Sequence, residues 1–70
     1  MKYVGIKQVL KAVKTGEVKN VYIGKDAEKS VVEELIKLCN EKNIKIVYVE
    51  TMKELGKLAG IEVRAATAAE

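Results

Sequence analysis

Histidine is absent from this chain, and cysteine occurs once, at Cys39. A single thiol rules out an intrachain disulfide, and a zinc site built from nitrogen and sulfur ligands has too few donors to form. Every histidine-based catalytic triad is excluded as well. Cys39 falls in the apolar pattern of a predicted helix and is therefore expected as a buried, reduced small hydrophobe. Apolar residues come only in short runs, well below the roughly 18 needed to span a bilayer. The amino terminus also lacks the apolar core of a signal peptide, so the expectation is a cytoplasmic protein without a membrane. Aromatic residues are limited to Tyr3, Tyr22 and Tyr48. Tyr22 and Tyr48 lie in predicted strands, where they are expected against helices, and only Tyr3 is expected to be exposed. That is no stacking platform for open single strands.

Glycine-rich phosphate loops are missing too. The turn Gly24-Lys-Asp-Ala27 holds one glycine and an acid where a dinucleotide fingerprint needs several glycines for backbone approach. Asp26 and Glu28 are close enough to form a carboxylate pair. Both, however, stand where helix-start acids serve capping and the helix dipole. Catalysis and a cofactor are therefore not expected.

What the chain has is positive charge, with a formal net charge of +3 over 70 residues. The length fits a single domain, residues 1–70, near the lower limit for folding without disulfides or metal. The charge is unevenly placed. From Met1 to Gly16 there are four lysines and no acid. In the stretch Gly5-Ile-Lys-Gln-Val-Leu-Lys-Ala-Val-Lys-Thr-Gly16, helical spacing gathers Ile6, Val9, Leu10 and Val13 into one apolar stripe. Lys7, Gln8, Lys11 and Lys14 line the other face. An unbalanced cationic face favours a polyanion, since lysines displace counterions from phosphates while amide and ammonium donors reach base edges. The same pattern also serves a soluble helix surface, or a protein-interaction domain whose basic helix meets an acidic partner.

Along the rest of the chain, Gly16 is placed to end the first helix in a left-handed cap, and Val18 to Gly24 reads as a strand. A second helix is expected over roughly Glu28 to Lys42, with Val31, Val32, Leu35, Ile36, Leu38 and Cys39 as its apolar face. Asp26 is one candidate cap for it and the Ser30/Glu33 box another, which leaves that boundary open. Asn43 is the expected stop. Ile44 to Val49 is a nearly continuous apolar strand of the kind buried on both faces. Thr51-Met-Lys-Glu54 is a capping box opening a short helix, with Met52, Leu55, Leu58 and Ala59 inward and Gly60 closing it. The last residues begin as an exposed loop and end as a small-residue strand. Alternation of this kind implies an α/β fold, a three-layer α/β/α sandwich on a small mixed sheet.

These stretches resemble a known family. Gly5 to Gly16 is similar to the first-helix signature of the kink-turn RNA-binding ribosomal proteins of the L7Ae and L30e type, roughly Gly-x-Asn-Glu-x-x-Lys-x-x-x-Arg-Gly. Leu55-Gly-Lys-Leu-Ala-Gly-Ile-Glu-Val-Arg-Ala-Ala66 resembles the family's Leu-Gly-x-x-x-Gly-Ile-Glu-Val-x-Ala-Ala segment, and Ile23-Gly-Lys-Asp-Ala27 its strand-to-helix turn. The Lys7-Gln8 pair, where most members carry Asn-Glu, is similar to the small bacterial YbxF-like branch. Thr15 replaces the family's arginine, and the chain stops in Ala-Ala-Glu where a longer final strand is usual.

The resemblance implies an L30e-like fold and a monomeric, non-catalytic, ribosome-associated module for structured RNA with a kink-turn, such as ribosomal RNA. It also implies that the first helix enters the groove of the bent RNA while the loop after the last helix meets an exposed nucleotide. Carried over by position, Gly5 takes the close backbone approach, Lys7 the asparagine position, Gln8 that of the glutamate and Lys11 that of the lysine. Ile61, Glu62 and Val63 fall on the specificity loop. Lys14 is then an outer phosphate contact or solvated charge, and Lys25 reaches phosphate or serves solubility. Arg64, the only arginine, stands beside the loop as a candidate for stacking or bidentate phosphate binding. A neutral Gln8 gives up the charge-assisted acceptor of a carboxylate, while Lys7 adds a cation. Weaker base discrimination with retained backbone affinity is expected.

Overall fold

Left-handed backbone closes all three helices where the sequence supplies a residue for it. A computed structural model describes residues 1–70. Its elements are β1 (Tyr3–Val4), α1 (Ile6–Thr15), β2 (Asn20–Gly24), α2 (Lys29–Lys42), β3 (Lys45–Val49), α3 (Met52–Ala59) and β4 (Thr67–Ala69). Gly16, Asn43 and Gly60 take the left-handed caps, as the sequence leads one to expect. Thr51 opens α3 with its hydroxyl oxygen accepting from Glu54 N–H at 3.0 Å, which satisfies one of the unpaired donors of the first turn.

The four strands form one mixed sheet in the order β1-β4-β2-β3. β2 and β3 are parallel, joined through α2, and β4 runs antiparallel to both β1 and β2. Strand alternation in β2 sends Val21 and Ile23 to one face and Tyr22 to the other. On the first face Val9, Ala12 and Val13 of α1 meet Val32, Leu35 and Cys39 of α2; on the second Leu55 of α3 packs with Ala65 and Ala68. This is the expected three-layer sandwich. Burying each valine or leucine of that core contributes roughly 1.5–3 kcal/mol, so α1 is held by Val9 and Val13 far more than by its helix propensity.

Six details depart from the sequence reading. A short strand, β1, precedes α1, and β2 begins at Asn20 rather than Val18. β3 is not buried on both faces. It has a neighbour on one side only, so the apolar run Ile44–Val49 lies along an edge, with Tyr48 51% exposed instead of packed under a helix. Val31 lies out on α2. In α3, the last segment of the chain folds back over Gly56, centring the buried face on Met52, Leu55, Gly56 and Ala59. Leu58 then sits about 100° round the helix from that centre and is 59% exposed.

The most informative departure concerns Asp26. Neither it nor the Ser30/Glu33 box caps α2, whose first turn has no side-chain cap at all. Its Oδ1 instead accepts from Met52 N–H at 2.7 Å, at the start of α3.

Candidate nucleic-acid interface

Because β1, β2 and β3 all run opposite to β4, their carboxyl ends and the start of β4 share one end of the sheet. Each is followed directly by a helix, so α1, α2 and α3 all begin there. Helix starts carry partial positive charge, and ligands of open α/β sheets bind beyond the carboxyl ends of the strands. The three starts are not equivalent. That of α3 is closed by Thr51 and Asp26, whereas α1 has no side-chain cap and no acid in its first turn.

Gly5 sets the entry to α1. Its φ of 96° and ψ of 152° form a conformation that a side chain would strain. In that conformation its N–H donates to Thr67 O at 3.0 Å. The hydrogen bond binds the start of α1 to the first residue of β4. Arg64 is three residues earlier, within about 11 Å of Thr67 at full extension. Val4 and Ile61 also pack into one apolar cluster with Leu55, Ala65 and Ala68. The helix tip and the loop after α3 therefore lie on one side of the molecule.

That loop is fixed from below by a missing side chain. At Gly56 an added Cβ would come within 2.2 Å of Val63 O and 3.2 Å of Arg64 Cα. The segment from Gly60 to Ala65 thus runs back along α3 in direct backbone contact. Ile61 N–H donates to Gly56 O and Ala65 N–H to Met52 O, each at 3.0 Å.

The residues singled out in the sequence divide accordingly. Gly5, Lys7, Gln8 and Lys11 share the first two turns of α1, with Lys7, Gln8 and Lys11 exposed. Gln8 Oε1 accepts from Val4 N–H at 3.4 Å, a long contact that leaves its NH₂ outward. Glu62, Val63 and Arg64 are exposed on the loop, Val63 by 69%. Ile61 turns its side chain into the α3-side cluster, so on this loop Val63 offers the exposed apolar surface. Lys25 is at the correct end but paired with Glu50 Oε1 at 2.8 Å. The pair raises the Lys25 pKa and lowers that of Glu50, through their hydrogen bond first and charge second. Exposed pairs of this kind hold their partners weakly. Lys14 lies apart: it occupies the last turn of α1, beside Glu34 and Glu41 of α2.

The fold also brings in residues the sequence gave no reason to join. Lys2, Tyr3, Gln8, Lys11, Thr15 and Glu17 line an open groove of about 380 Å³ along α1. Tyr3 OH donates to Glu17 Oε2 across it. That hydrogen bond first, and then the nearby Lys2 and Lys11 charges, hold the Glu17 carboxyl below its ordinary range. The acid-free stretch thus acquires one carboxylate from beyond Gly16. Only the pairing of β1 with β4, invisible in a two-residue strand, would have foretold it.

These features define a class, a small α/β/α sandwich with a mixed sheet and an uncapped, lysine-rich helix start at the carboxyl ends of its parallel strands. The chain belongs to the ribosomal protein L7Ae/L30e/S12e/Gadd45 family, whose model matches residues 3–70. It is 60% identical over 67 residues to RNA-binding protein TTE2299 of Caldanaerobacter subterraneus subsp. tengcongensis, covering 96% of this chain and 82% of that protein. To RNA-binding protein YbxF of Geobacillus stearothermophilus it is 38% identical over 66 residues, 94% of this chain and 80% of the relative. Among solved structures, the Giardia lamblia 15.5kD RNA binding protein superposes with a TM-score of 0.87 at 27% identity. The match covers 94% of this chain and 56% of that one.

Proposed function

We propose that this protein is a non-catalytic RNA-binding module that recognises kink-turn-type structured RNA, acting as a monomer in the cytoplasm and associated with the ribosome. The observation that carries the reading is the Gly5 N–H to Thr67 O hydrogen bond. It sets an uncapped cationic helix tip beside the loop Ile61–Arg64, so that one bent RNA meets both at once. A straight duplex offers phosphates to the lysines but no exposed nucleotide to the loop. In this reading Lys7 and Lys11 take phosphates, Gln8 presents its amide donors to a base edge, and Val63 and Arg64 lie against the exposed base. Lys25 joins when the RNA displaces Glu50. The matches to relatives named RNA-binding proteins support the ligand class.

The test compares a kinked RNA with a straight duplex of equal length by titration. The kinked RNA binds more tightly, and replacing Gln8 or Lys11 by alanine weakens it by roughly 1–3 kcal/mol with little change in thermal stability. About four phosphate contacts give a log-log salt slope on the order of −3 to −4. Equal affinity for the two RNAs overturns the kink-turn reading; unchanged affinity in both variants removes α1 from the interface.

A further inference from the structure

Met52 is where three parts of the RNA-facing end meet. Its N–H is held by Asp26 Oδ1 at 2.7 Å, and its carbonyl accepts from Ala65 N–H at 3.0 Å. Its backbone and side chain press on Gly24, where a Cβ would meet Met52 Cγ at 2.8 Å and Met52 N at 2.9 Å. Asp26 itself lies on the turn after β2, and the end of β2 is tied to the residue before β4 by Gly24 N–H donating to Ala66 O at 3.0 Å. The segment Ile61–Ala66 is therefore fixed at both ends of its run along α3, and Asp26 holds the end nearer the helix tip. An acid is otherwise unwelcome here, since every nearby phosphate repels it. Ordinary capping of α2 does not explain it, because α2 is not the helix it caps.

Resting on the RNA-binding reading above, we infer that Asp26 is a positioning residue for RNA selectivity: through the backbone of Met52 it sets the height of the loop Ile61–Arg64 relative to the start of α1. It does not touch RNA. This separates two effects of opposite sign. Removing its charge strengthens binding to any polyanion, whereas releasing the loop weakens binding only to an RNA that uses the loop.

The experiment titrates the full chain, Asp26→Ala, Asp26→Asn, Met52→Pro and the Asp26→Ala/Met52→Pro double variant with kinked and straight RNAs. Proline is suited to the first position of a helix and removes the N–H that Asp26 holds. Thr51, at φ −139° and ψ 156°, already has the extended backbone that a following proline requires. For Asp26→Ala, the ratio of kinked to straight affinity falls roughly tenfold, the scale of one charge-assisted hydrogen bond, while straight-duplex affinity stays equal or rises. Asp26→Asn, whose amide oxygen still accepts, recovers most of the ratio. In the Met52→Pro background Asp26→Ala has no further effect on the ratio.

Without RNA, amide exchange at Ala65 is faster in Asp26→Ala than in the wild type, and this readout still decides the linkage should the RNA-binding yield of one variant be poor. An unchanged ratio in Asp26→Ala, a further loss in the proline background, or unchanged Ala65 exchange overturns the inference. A wild-type chain that does not prefer kinked RNA overturns the functional reading instead, so the two failures are distinct.

Discussion

Replacing Gly56 by alanine tests whether the loop after α3 is seated as described. In an exposed helix interior this change stabilises by roughly 1 kcal/mol, because alanine loses less backbone entropy than glycine. Here the added methyl carbon would lie 2.2 Å from Val63 O and 3.1 Å from Val63 C. An ordinary carbon–oxygen contact needs more than 3 Å, so the loop backbone must retreat by about 1 Å or more. Overpacking of this size costs typically 1–3 kcal/mol, and the retreat also lengthens the Ile61 N–H to Gly56 O bond on the same turn. Propensity gain and clash together leave a net loss of up to roughly 2 kcal/mol. For a domain this small, each 1 kcal/mol moves the melting temperature by about 4–8 °C. Thermal unfolding followed by circular dichroism then shows a Tm lowered by up to about 15 °C. RNA titration at low temperature shows a larger loss for kinked than for straight RNA. A Gly56→Ala protein that melts higher than the wild type refutes the close backbone contact and the loop placement built on it.

Tyr3→Phe removes the leading cause of the low Glu17 pKa, so the Glu17 carboxyl titrates closer to the ordinary range, which carbon-detected NMR of that side chain reads directly. A carboxyl held low in the fold adds stability that is present above its ordinary pKa and is lost as pH falls through the folded value, so the variant's acid-side loss of stability is smaller. An unmoved Glu17 midpoint contradicts the cross-groove hydrogen bond. Burial pushes the Cys39 thiol up; its contribution is complete below the ordinary thiol pKa of about 8.5 and declines as pH rises past it. A disulfide-exchange reagent near pH 8 therefore labels Cys39 only as fast as the chain opens, and prompt labelling of the native protein refutes its burial.

Much of this fold is written in local patterns. The stripe Ile6, Val9, Leu10, Val13 marks α1 because a 3.6-residue repeat leaves no other way to bury it. Gly16, Asn43 and Gly60 mark the helix ends because few residues tolerate left-handed backbone. The alternation of helix and strand then leaves little besides a layered sandwich. The cationic start of α1 is equally legible, since charge needs no partner to be counted.

The edges and the contacts between distant segments were another matter. A continuous apolar run such as Ile44–Val49 looks the same at the edge of a sheet as at its centre; only the strand order places β3 at the margin and leaves Tyr48 in water. Conversely, Thr67-Ala-Ala69 has little strand propensity, yet it forms a central strand with all three residues buried, because α1 and α3 close over both of its faces. Asp26 looked like a cap for the helix that follows it and became one for a helix that starts 26 residues later.

Residues within a turn or two of one another fix the helices, their carboxyl-terminal ends and the sign of the surface. Tertiary structure alone decided which loop lies beside Gly5, which carboxylate enters the groove and which helix Asp26 serves. Those contacts join segments far apart in the chain, and their geometry exists only once the sheet has brought the segments together.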